Sequence, residues 1–399
     1  MRQLEQNKLL ERFRPSRVWK GEPGLGGWYT EAEIRAVTKA IRESMDWNTG
    51  FSARKEIEAF ENAFAEYVGT RHAIAVNGAG TGLDVAIMCL DPQPDDEIIS
   101  CALNFPGTHL AIIGQGAKLV LCEPDPQTLN INANDVEKRI TPKTRAILAT
   151  HMNGLSVNMD ALLNIAERNP HSKYGPPKVI GDAARACGGT YKGTRIGKRG
   201  WMNVFSFQSK KLMSTLGEGG MITTDDTEVA DKIRRFRSFG DGLSWGTNYK
   251  MTKVQAAVGM VQLRRLNRMN MKRIERAKQR TMLLEDIVDL TLPYEPIGYG
   301  HVYYFYTVLV PPTWGGAKRD QLIKIMEADY KIGCAIANPP TYQRNQLIRK
   351  HVRDQNLPIA DTIGARLFCP ALHPLMTEEE NEYVAAAISA AVERIRQDS

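Results

Sequence analysis

The sequence has no CxxC pair, and its six cysteines are scattered along 399 residues. Zinc sites and redox motifs place cysteines at short, fixed spacings, so we expect reduced thiols, a cytoplasmic location and no metal site. No apolar run approaches the roughly 18 residues that a membrane helix needs. The first residues, Met1–Lys8, are charged and lack an apolar segment, so we expect neither a signal peptide nor a membrane partner.

The chain has only a slight excess of positive charge. The chain has 52 lysines and arginines against 45 aspartates and glutamates, a formal net charge of +7. The basic residues are spread along the chain, so anionic substrates or a solvated surface explain the excess, and we expect no nucleic-acid partner. With 43% hydrophobic residues, the chain is long enough for two domains.

Short apolar runs alternate with helical patterns, which predicts an α/β fold with a mainly parallel sheet flanked by helices. In such sheets, ligands gather at the carboxyl ends of the strands. We place a large domain at residues 1–260 and a smaller α+β domain at residues 261–399, with a long helix at Thr252–Ile287 joining them. The smaller domain holds a strand-like stretch at Val302–Val310 and a closing helix at Thr377–Arg396.

Two local patterns are more specific. Thr30 precedes a helical pattern and has Glu33 three residues on, which predicts a capping box. The strand Ala73–Asn77 is followed by the glycine-rich turn Gly78–Gly82 and by a predicted helix from Leu83. Strand, glycine turn and helix start together favour an anion site, although a tight turn without a ligand has the same pattern.

The stretch Val204–Gly220 reads VFSFQSKKLMSTLGEGG and leads into a second apolar run, Met221–Thr224. A lone lysine pair is usually a surface feature. Here, however, an aspartate, Asp182, also closes an apolar run upstream. An aspartate at the end of one strand and a lysine after another are the two protein groups that pyridoxal phosphate requires. The lysine amine must lose its proton to react, which burial and a neighbouring cation favour.

Several blocks resemble one family. DAARACGGTYKG from Asp182, FSFQSKK from Phe205, GEGG from Gly217 and NYKMTKVQAA from Asn248 are similar to the DegT/DnrJ/EryC1/StrS family of pyridoxal-phosphate sugar aminotransferases, which have fold type I. The resemblance extends from about Gly26 to Arg396. It implies that Lys211, after the variable Lys210, binds the cofactor covalently and moves protons, and that Asp182 faces the pyridine nitrogen.

The resemblance also implies the remaining cofactor contacts. Phe105 stacks on the pyridine ring. The phosphate is held by backbone and side-chain groups of one subunit together with Asn248 of the partner subunit, so we expect a homodimer with shared active sites. The groups from the first subunit are Gly80, Thr81, Ser206 and Gln208, beside Ala79.

Four positions depart from the family pattern. Ala79 replaces a usual serine, Gln208 a usual histidine, Cys187 a common histidine, and Arg185 a usual glutamine on the hydroxyl side of the cofactor. Arg185 is the most consequential departure, because a fixed cation there would alter the electronics of the cofactor or bind an acidic group of the substrate. His151 matches a family turn; a structural role is favoured over a catalytic one.

These expectations describe an aminotransferase of sugar or antibiotic biosynthesis. It would take an amino group from L-glutamate or L-glutamine and pass it to a keto-sugar or keto-cyclitol. One alternative is a pyridoxal-dependent sugar dehydratase, but relatives with that chemistry replace the lysine with histidine. Another is a ligand-sensing relative without catalysis, which the loss of Asp182 or Lys211 would have favoured.

Overall fold

A computed structural model of the chain describes residues 3–15, 18–19, 27–50, 52–352 and 354–398. Of the residues named above, Met1 and Gly26 lie outside these ranges, as does residue 399 at the end of the expected smaller domain. The helices are α1 (Gln3–Arg12), α2 (Glu31–Ser44), α3 (Arg54–Val68), α4 (Ala79–Leu90), α5 (Pro106–Gly114), α6 (Ala133–Arg139), α7 (Met159–Arg168), α8 (Thr227–Arg237), α9 (Lys253–Leu284), α10 (Ala317–Tyr330), α11 (Thr341–Arg344), α12 (Gln346–His351), α13 (Pro358–Arg366) and α14 (Glu378–Gln397).

The strands are β1 (His72–Val76), β2 (Glu97–Cys101), β3 (Lys118–Cys122), β4 (Thr144–Thr150), β5 (Lys178–Asp182), β6 (Thr190–Tyr191), β7 (Thr194–Arg195), β8 (Met202–Ser206), β9 (Gly220–Thr224), β10 (Tyr299–Gly300), β11 (Val308–Leu309), β12 (Cys334–Ala335) and β13 (Leu367–Pro370).

The largest sheet has the strand order β1-β9-β8-β5-β4-β2-β3. Neighbours from β8 to β3 run parallel, whereas β9 is antiparallel to both β8 and β1. Its central strands are buried on both faces, because helices such as α4, α5 and α7 cover them. The predicted mainly parallel α/β fold is therefore confirmed.

The register of the parallel strands brings their carboxyl ends to one edge. Thr150 of β4 pairs with Asp182 of β5, and Asp182 pairs in turn with Val204 of β8. Ser206, the last residue of β8, lies two residues beyond Val204. The predicted site residues that end strands therefore meet where ligands of parallel sheets bind.

A second layer is organised on the 32-residue helix α9. It contacts α2 and α3, and it also contacts α14 of the C-terminal region. Two buried arginines of α9 fix that region, since Arg273 donates a hydrogen bond of 3.0 Å to the carbonyl of Leu372 and Arg280 one of 2.9 Å to that of Ala371. Helix α1 packs on α14 as well. The division at residue 260 falls within α9 and stays a prediction.

Two predicted elements were wrong in extent. Helix α4 begins at Ala79 rather than Leu83, so the predicted glycine turn forms the first helical turn. Gly82 suits this position because a Cβ there would lie 2.7 Å from Cγ1 of Val204 in β8. The strand expected at Val302–Val310 is reduced to Val308–Leu309, and Tyr303 interrupts the expected strand because its φ of 47° lies outside the range of a strand.

In the described part of the chain, no helix combines the length and the apolar character that crossing a membrane requires.

Candidate active site

A cavity of about 430 Å³ opens at the carboxyl edge of the large sheet. Strands β4, β5 and β8 and the first turns of α4 and α5 contribute its walls. It brings together eight of the ten predicted site residues: Ala79, Gly80, Phe105, Asp182, Arg185, Ser206, Gln208 and Lys211. Thr81 and Asn248 are not among the residues that line it.

Lys211 follows β8 in a turn in which its backbone N–H donates to the carbonyl of Gln208. Its side chain belongs to the cavity lining, and its Nζ lies 3.5 Å from the hydroxyl of Tyr304 and 4.9 Å from the centroid of the Tyr304 ring. Lys210 also lines the cavity but is exposed, whereas Lys211 is half-buried. A half-buried amine on an aromatic wall suits a lysine that must react with an aldehyde.

Asp182 ends β5, is buried and belongs to the cavity lining. Its Oδ1 accepts the backbone N–H of Ala184 at 3.0 Å, and its Oδ2 lies 2.8 Å from the hydroxyl of Thr108 and 3.3 Å from that of Thr150. A threonine hydroxyl has one proton, and Thr150 lies nearer to Oδ1 of Asn104, at 3.0 Å. The shorter contacts therefore assign Thr108 as the side-chain donor that orients Asp182.

Phe105 is the N-cap of α5, with Pro106 as the first helical residue. Its backbone N–H donates to Oδ1 of Asn104 at 2.8 Å, which fixes the start of the helix. The ring lines the cavity and is 60% exposed. An aromatic face that is open in the protein alone is available to stack on a planar ring.

The first turn of α4 has the geometry that an anion site requires. Gly78, its N-cap, is extended and makes no side-chain cap hydrogen bond, so the N–H groups that follow are left for a ligand. Gly220 is required beside it, because a Cβ there would lie 2.7 Å from the backbone of Gly78. Thr81 lies in this first turn, and Ser206 and Gln208 line the cavity nearby.

Arg185 follows β5 and is 8% exposed. It lines the cavity, and its guanidinium carbon lies 5.6 Å from the ring centroid of Tyr304 and 5.5 Å from that of Phe305. It therefore adds a positive charge to the cavity lining, to which Asp182 and Ala184 also belong.

Asn248 is exposed and lies outside the cavity of its own chain. It forms an isolated bridge with Ser238, and the carbonyl of the next residue, Tyr249, accepts the N–H of Asn77 at 2.9 Å. This hydrogen bond holds the segment around Asn248 beside Asn77, which lies just before the first turn of α4. A single chain does not bring Asn248 into contact with the other predicted groups.

His151 is buried outside the cavity lining, and its Nδ1 accepts the N–H of Val157 at 3.2 Å. Burial lowers the pKa of His151 to about 4, although the nearby Asp182 opposes that effect. A neutral imidazole that accepts a backbone hydrogen bond fits the structural role favoured above.

Among the polar side chains at the cavity, sequence reasoning did not predict Thr108, Thr150, Glu218 or Tyr304 as site residues. Thr108 and Thr150 stand in stretches that the sequence marks as a helix start and a strand end, but no local pattern links them to Asp182. Glu218 belongs to the GEGG turn from Gly217, so the sequence alone could have marked it as a candidate site residue. Tyr304 contacts Lys211 although the two residues are 93 positions apart in the sequence. Because Tyr304 was assigned to a continuous strand at Val302–Val310, its side chain was not considered for the site.

These groups together fit pyridoxal phosphate. Its phosphate requires free N–H donors, its ring nitrogen a buried carboxylate, its ring face an aromatic wall and its aldehyde a lysine amine. The cavity provides one of each, in Gly80, Asp182, Phe105 and Lys211. Among the described residues, no group of three histidine, cysteine, aspartate or glutamate side chains is placed to hold a metal ion.

Comparison with known proteins agrees with this geometry. The model of the DegT/DnrJ/EryC1/StrS aminotransferase family matches residues 30–389. GDP-perosamine synthase of Caulobacter vibrioides is 35% identical over 363 residues, which cover 87% of this chain and 93% of that protein. The spore coat polysaccharide biosynthesis protein SpsC of Bacillus subtilis is 32% identical and covers 89% of this chain and 93% of its own length.

A solved structure is also similar. DesV of S. venezuelae, in complex with a ketimine intermediate, superposes with a TM-score of 0.81 at 29% identity and covers 90% of this chain and 95% of that one.

Proposed function

The chain belongs to the DegT/DnrJ/EryC1/StrS aminotransferase family and is an aminotransferase, and we propose that it uses pyridoxal 5′-phosphate to aminate a ketone on a sugar or cyclitol. The observation that carries the proposal is that Lys211 and Asp182 line one cavity together with Phe105 and the first turn of α4. The relatives named for perosamine and for spore coat polysaccharide support a sugar acceptor.

When bound, pyridoxal phosphate supplies an aldehyde that exchanges amino groups and a ring that withdraws electrons. We assign Lys211 as the residue that holds the aldehyde carbon and then moves the proton between carbon centres. Asp182 holds the proton on the ring nitrogen, and Thr108 orients the carboxylate for that task. Phe105 stacks on the ring, and Gly80, Thr81, Ser206 and Gln208 hold the phosphate beside Ala79.

We further propose a homodimer in which Asn248 of the partner subunit completes each phosphate site. Two observations support it. Asn248 lies outside the cavity of its own chain, and the segment before it exposes large apolar side chains, with Leu243 79% and Trp245 61% exposed. Exposed aromatic and aliphatic side chains on one segment are typical of a surface that another subunit covers.

The donor half of the reaction tests the proposed function. We expect the purified protein to be yellow and to lose its aldehyde absorbance when L-glutamate or L-glutamine is added. Keto-sugars and inososes are then screened for the return of that absorbance. Borohydride reduction followed by peptide mapping locates the lysine; an adduct on Lys210, or on no lysine, contradicts the assignment of Lys211.

The Lys211→Ala variant is the matched control. It removes the amine but leaves the carboxylate and the phosphate groups in place, so we expect it to bind cofactor and fail to turn over. If neither amino acid changes the absorbance of the wild-type protein, the aminotransferase proposal fails in its present form. The cytoplasmic location and a role in antibiotic biosynthesis also remain proposals.

A further inference from the structure

A buried tyrosine from the segment after α9 contacts the amine of Lys211. Tyr304 is 1% exposed, and its hydroxyl lies 3.5 Å from the Nζ of Lys211, whose side chain belongs to the cavity lining. The same amine lies over the Tyr304 ring, 4.9 Å from its centroid. Tyr304 therefore contacts the amine with its hydroxyl and with its ring.

The turn after β4 holds the backbone of Tyr304 in this place. The carbonyl of Gly154 accepts the N–H of Val302 at 3.1 Å, and the carbonyl of Asn153 accepts the N–H of Phe305 at 3.3 Å. Tyr304 thus lies between two backbone hydrogen bonds to one turn. Gly154 has φ of 101°, and a Cβ there would lie 2.9 Å from the backbone nitrogen of Tyr304, so this close approach requires glycine.

A buried asparagine fixes that turn. Oδ1 of Asn130 accepts the N–H of Met152 at 2.7 Å, and Nδ2 of Asn130 donates to the carbonyls of Leu155 at 3.3 Å and Ser156 at 3.0 Å. The side chain of Asn130 is buried, and a buried amide that has these partners is costly to move. Both sides of the turn are bonded to this one amide, so Tyr304 is fixed against the end of β4.

The chemistry of a phenol suits a lysine that changes its protonation state. In the proposed function, Lys211 takes a proton from one carbon centre and returns it to another, so its amine is charged at one stage and neutral at another. A tyrosine hydroxyl both donates and accepts hydrogen bonds, so it contacts the amine in either state. A carboxylate would favour the charged state alone, and the buried Asp182 is hydrogen-bonded to Thr108 and Ala184.

The charged groups around this contact are distinct from the Tyr304 hydroxyl. Four charged side chains line the cavity together with Lys211: Asp182, Arg185, Lys210 and Glu218. The guanidinium carbon of Arg185 lies 5.6 Å from the centroid of the Tyr304 ring. Burial lowers the pKa of Arg273 to about 10, and the nearby phenol of Tyr304 opposes that effect. A substitution that removes only the hydroxyl keeps each of these charged side chains.

We propose that Tyr304 is a positioning residue for Lys211. The inference rests on the proposed aminotransferase function and deepens it by naming a further residue of the same site. When Lys211 is not bonded to the cofactor, the hydroxyl of Tyr304 accepts a hydrogen bond from the ammonium and keeps the amine at the cavity lining. Tyr304 holds the amine in place and transfers no proton itself.

Chemical labelling tests the contact without turnover. In the full-length protein, after removal of the cofactor, formaldehyde and a mild borane reductant methylate each lysine, and peptide mapping gives the rate at Lys211 as a function of pH. Tyr304→Phe removes the hydroxyl and keeps the ring. A hydrogen bond to a charged group is stronger than one to a neutral group, so its loss disfavours the ammonium. We therefore expect the pH midpoint of Lys211 labelling to fall by about half a unit.

Two controls separate this contact from a general effect on the fold. The exposed neighbour Lys210 is the internal reference, since its labelling midpoint should not move. Tyr306→Phe is the matched variant, because the hydroxyl of Tyr306 is also buried but lies 2.9 Å from that of Thr281 in α9. A Lys211 midpoint within about 0.1 unit of wild type in Tyr304→Phe, or an equal shift in Tyr306→Phe, would overturn the proposal.

The donor reaction separates this role from the proposed function. With the amino acid that discharges the aldehyde absorbance of the wild-type protein, we expect Tyr304→Phe to lower the maximal rate about threefold or more. The half-saturating concentration should stay within about twofold, because Lys211 moves the proton after the donor has bound. If the wild-type protein reacts but Tyr304→Phe keeps the wild-type rate, the enzyme is an aminotransferase and the positioning role is wrong. If neither L-glutamate nor L-glutamine reacts, the function proposal fails, while the labelling of Lys211 still decides the contact.

Discussion

The hydroxyl of Thr108 donates a hydrogen bond of 2.8 Å to Oδ2 of Asp182, across 74 residues of sequence. This contact joins the first turn of α5 to the end of β5, so the helix that carries Phe105 also orients the carboxylate. The start of α5 therefore positions both Phe105, which we propose stacks on the cofactor ring, and Asp182, which we propose faces the ring nitrogen.

Thr108→Val should therefore reduce the rate. Valine removes the donor but keeps the branched shape, so Asp182 would retain its backbone contact with Ala184 and lose its shorter side-chain contact. We expect kcat to fall about tenfold, the size typical of one hydrogen bond to a charged group. Thr108→Ser keeps the hydroxyl and is the control. Thr150→Val should reduce kcat less than Thr108→Val does. A larger reduction in Thr150→Val would contradict the assignment of Thr108 as the donor.

Asp182→Asn should preserve the fold and abolish most turnover. The amide matches the carboxylate in shape but cannot hold a proton on the ring nitrogen, which the cofactor needs to withdraw electrons. We expect kcat to fall by about 10²- to 10⁴-fold, with an unchanged circular dichroism spectrum. Near-normal turnover of this variant would show that Asp182 does not face the ring nitrogen.

Glu33 connects α2 to α9 and should make stability depend on pH. Its carboxylate is buried, with Arg265 at 2.5 Å, Gln262 at 2.7 Å and the N–H of Thr30 at 2.7 Å. Burial alone would raise the pKa of Glu33, but the hydrogen bonds from Thr30 and Gln262 outweigh it and hold the pKa below 4.5. The charged form is therefore favoured in the folded protein.

The lowered pKa of Glu33 determines in which direction the stability of the fold changes with pH. The stabilisation by Glu33 is fully present above about pH 4.5 and is lost as the pH falls through the lowered pKa. Glu33→Gln should reduce the free energy of unfolding by about 2 kcal/mol at pH 7, and less below about pH 4. Glu31→Gln, an exposed acid in the same helical turn, is the control. A difference that grows on acidification would refute the argument.

The sequence predicted best the features that depend on near neighbours. The capping box predicted at Thr30 is present, because its two partners lie three residues apart, and the closing helix begins directly after Thr377 as expected. The alternation of apolar strands with helices led to the α/β fold for the same reason. Lys211 and Asp182 were singled out because each ends or follows an apolar run and because both match the family pattern; their roles stay predictions, and the structure places both in one cavity lining.

The features that sequence reasoning missed depend on contacts between distant segments. Thr108 reaches Asp182 only because the sheet brings β2 and β5 to one edge through β4. Tyr304 reaches Lys211 because the chain leaves the strand conformation at Tyr303, where φ is positive although the sequence is apolar and aromatic.

The proposed contact of Asn248 with the partner subunit has the sharpest test. In a homodimer with shared sites, Lys211 of one chain and Asn248 of the other serve the same cavity. The variants Lys211→Ala and Asn248→Ala are each expected to be impaired, because every site of either homodimer carries one lesion. When the two variants are mixed and exchange subunits, one site of each mixed dimer collects both lesions and the other is intact.

Mixing should therefore restore activity. With random pairing, half of the dimers are mixed and half of their sites are intact, so we expect about a quarter of the wild-type activity per site. Differently tagged subunits confirm that exchange has occurred, and mixing Lys211→Ala with Asp182→Asn is the control. Both residues of that control pair line the cavity of their own chain, so each mixed site keeps one lesion and no activity should return. Confirmed mixed dimers that regain nothing, or an active enzyme that sediments as a monomer, would restrict Asn248 to its local contacts with Ser238 and Lys250.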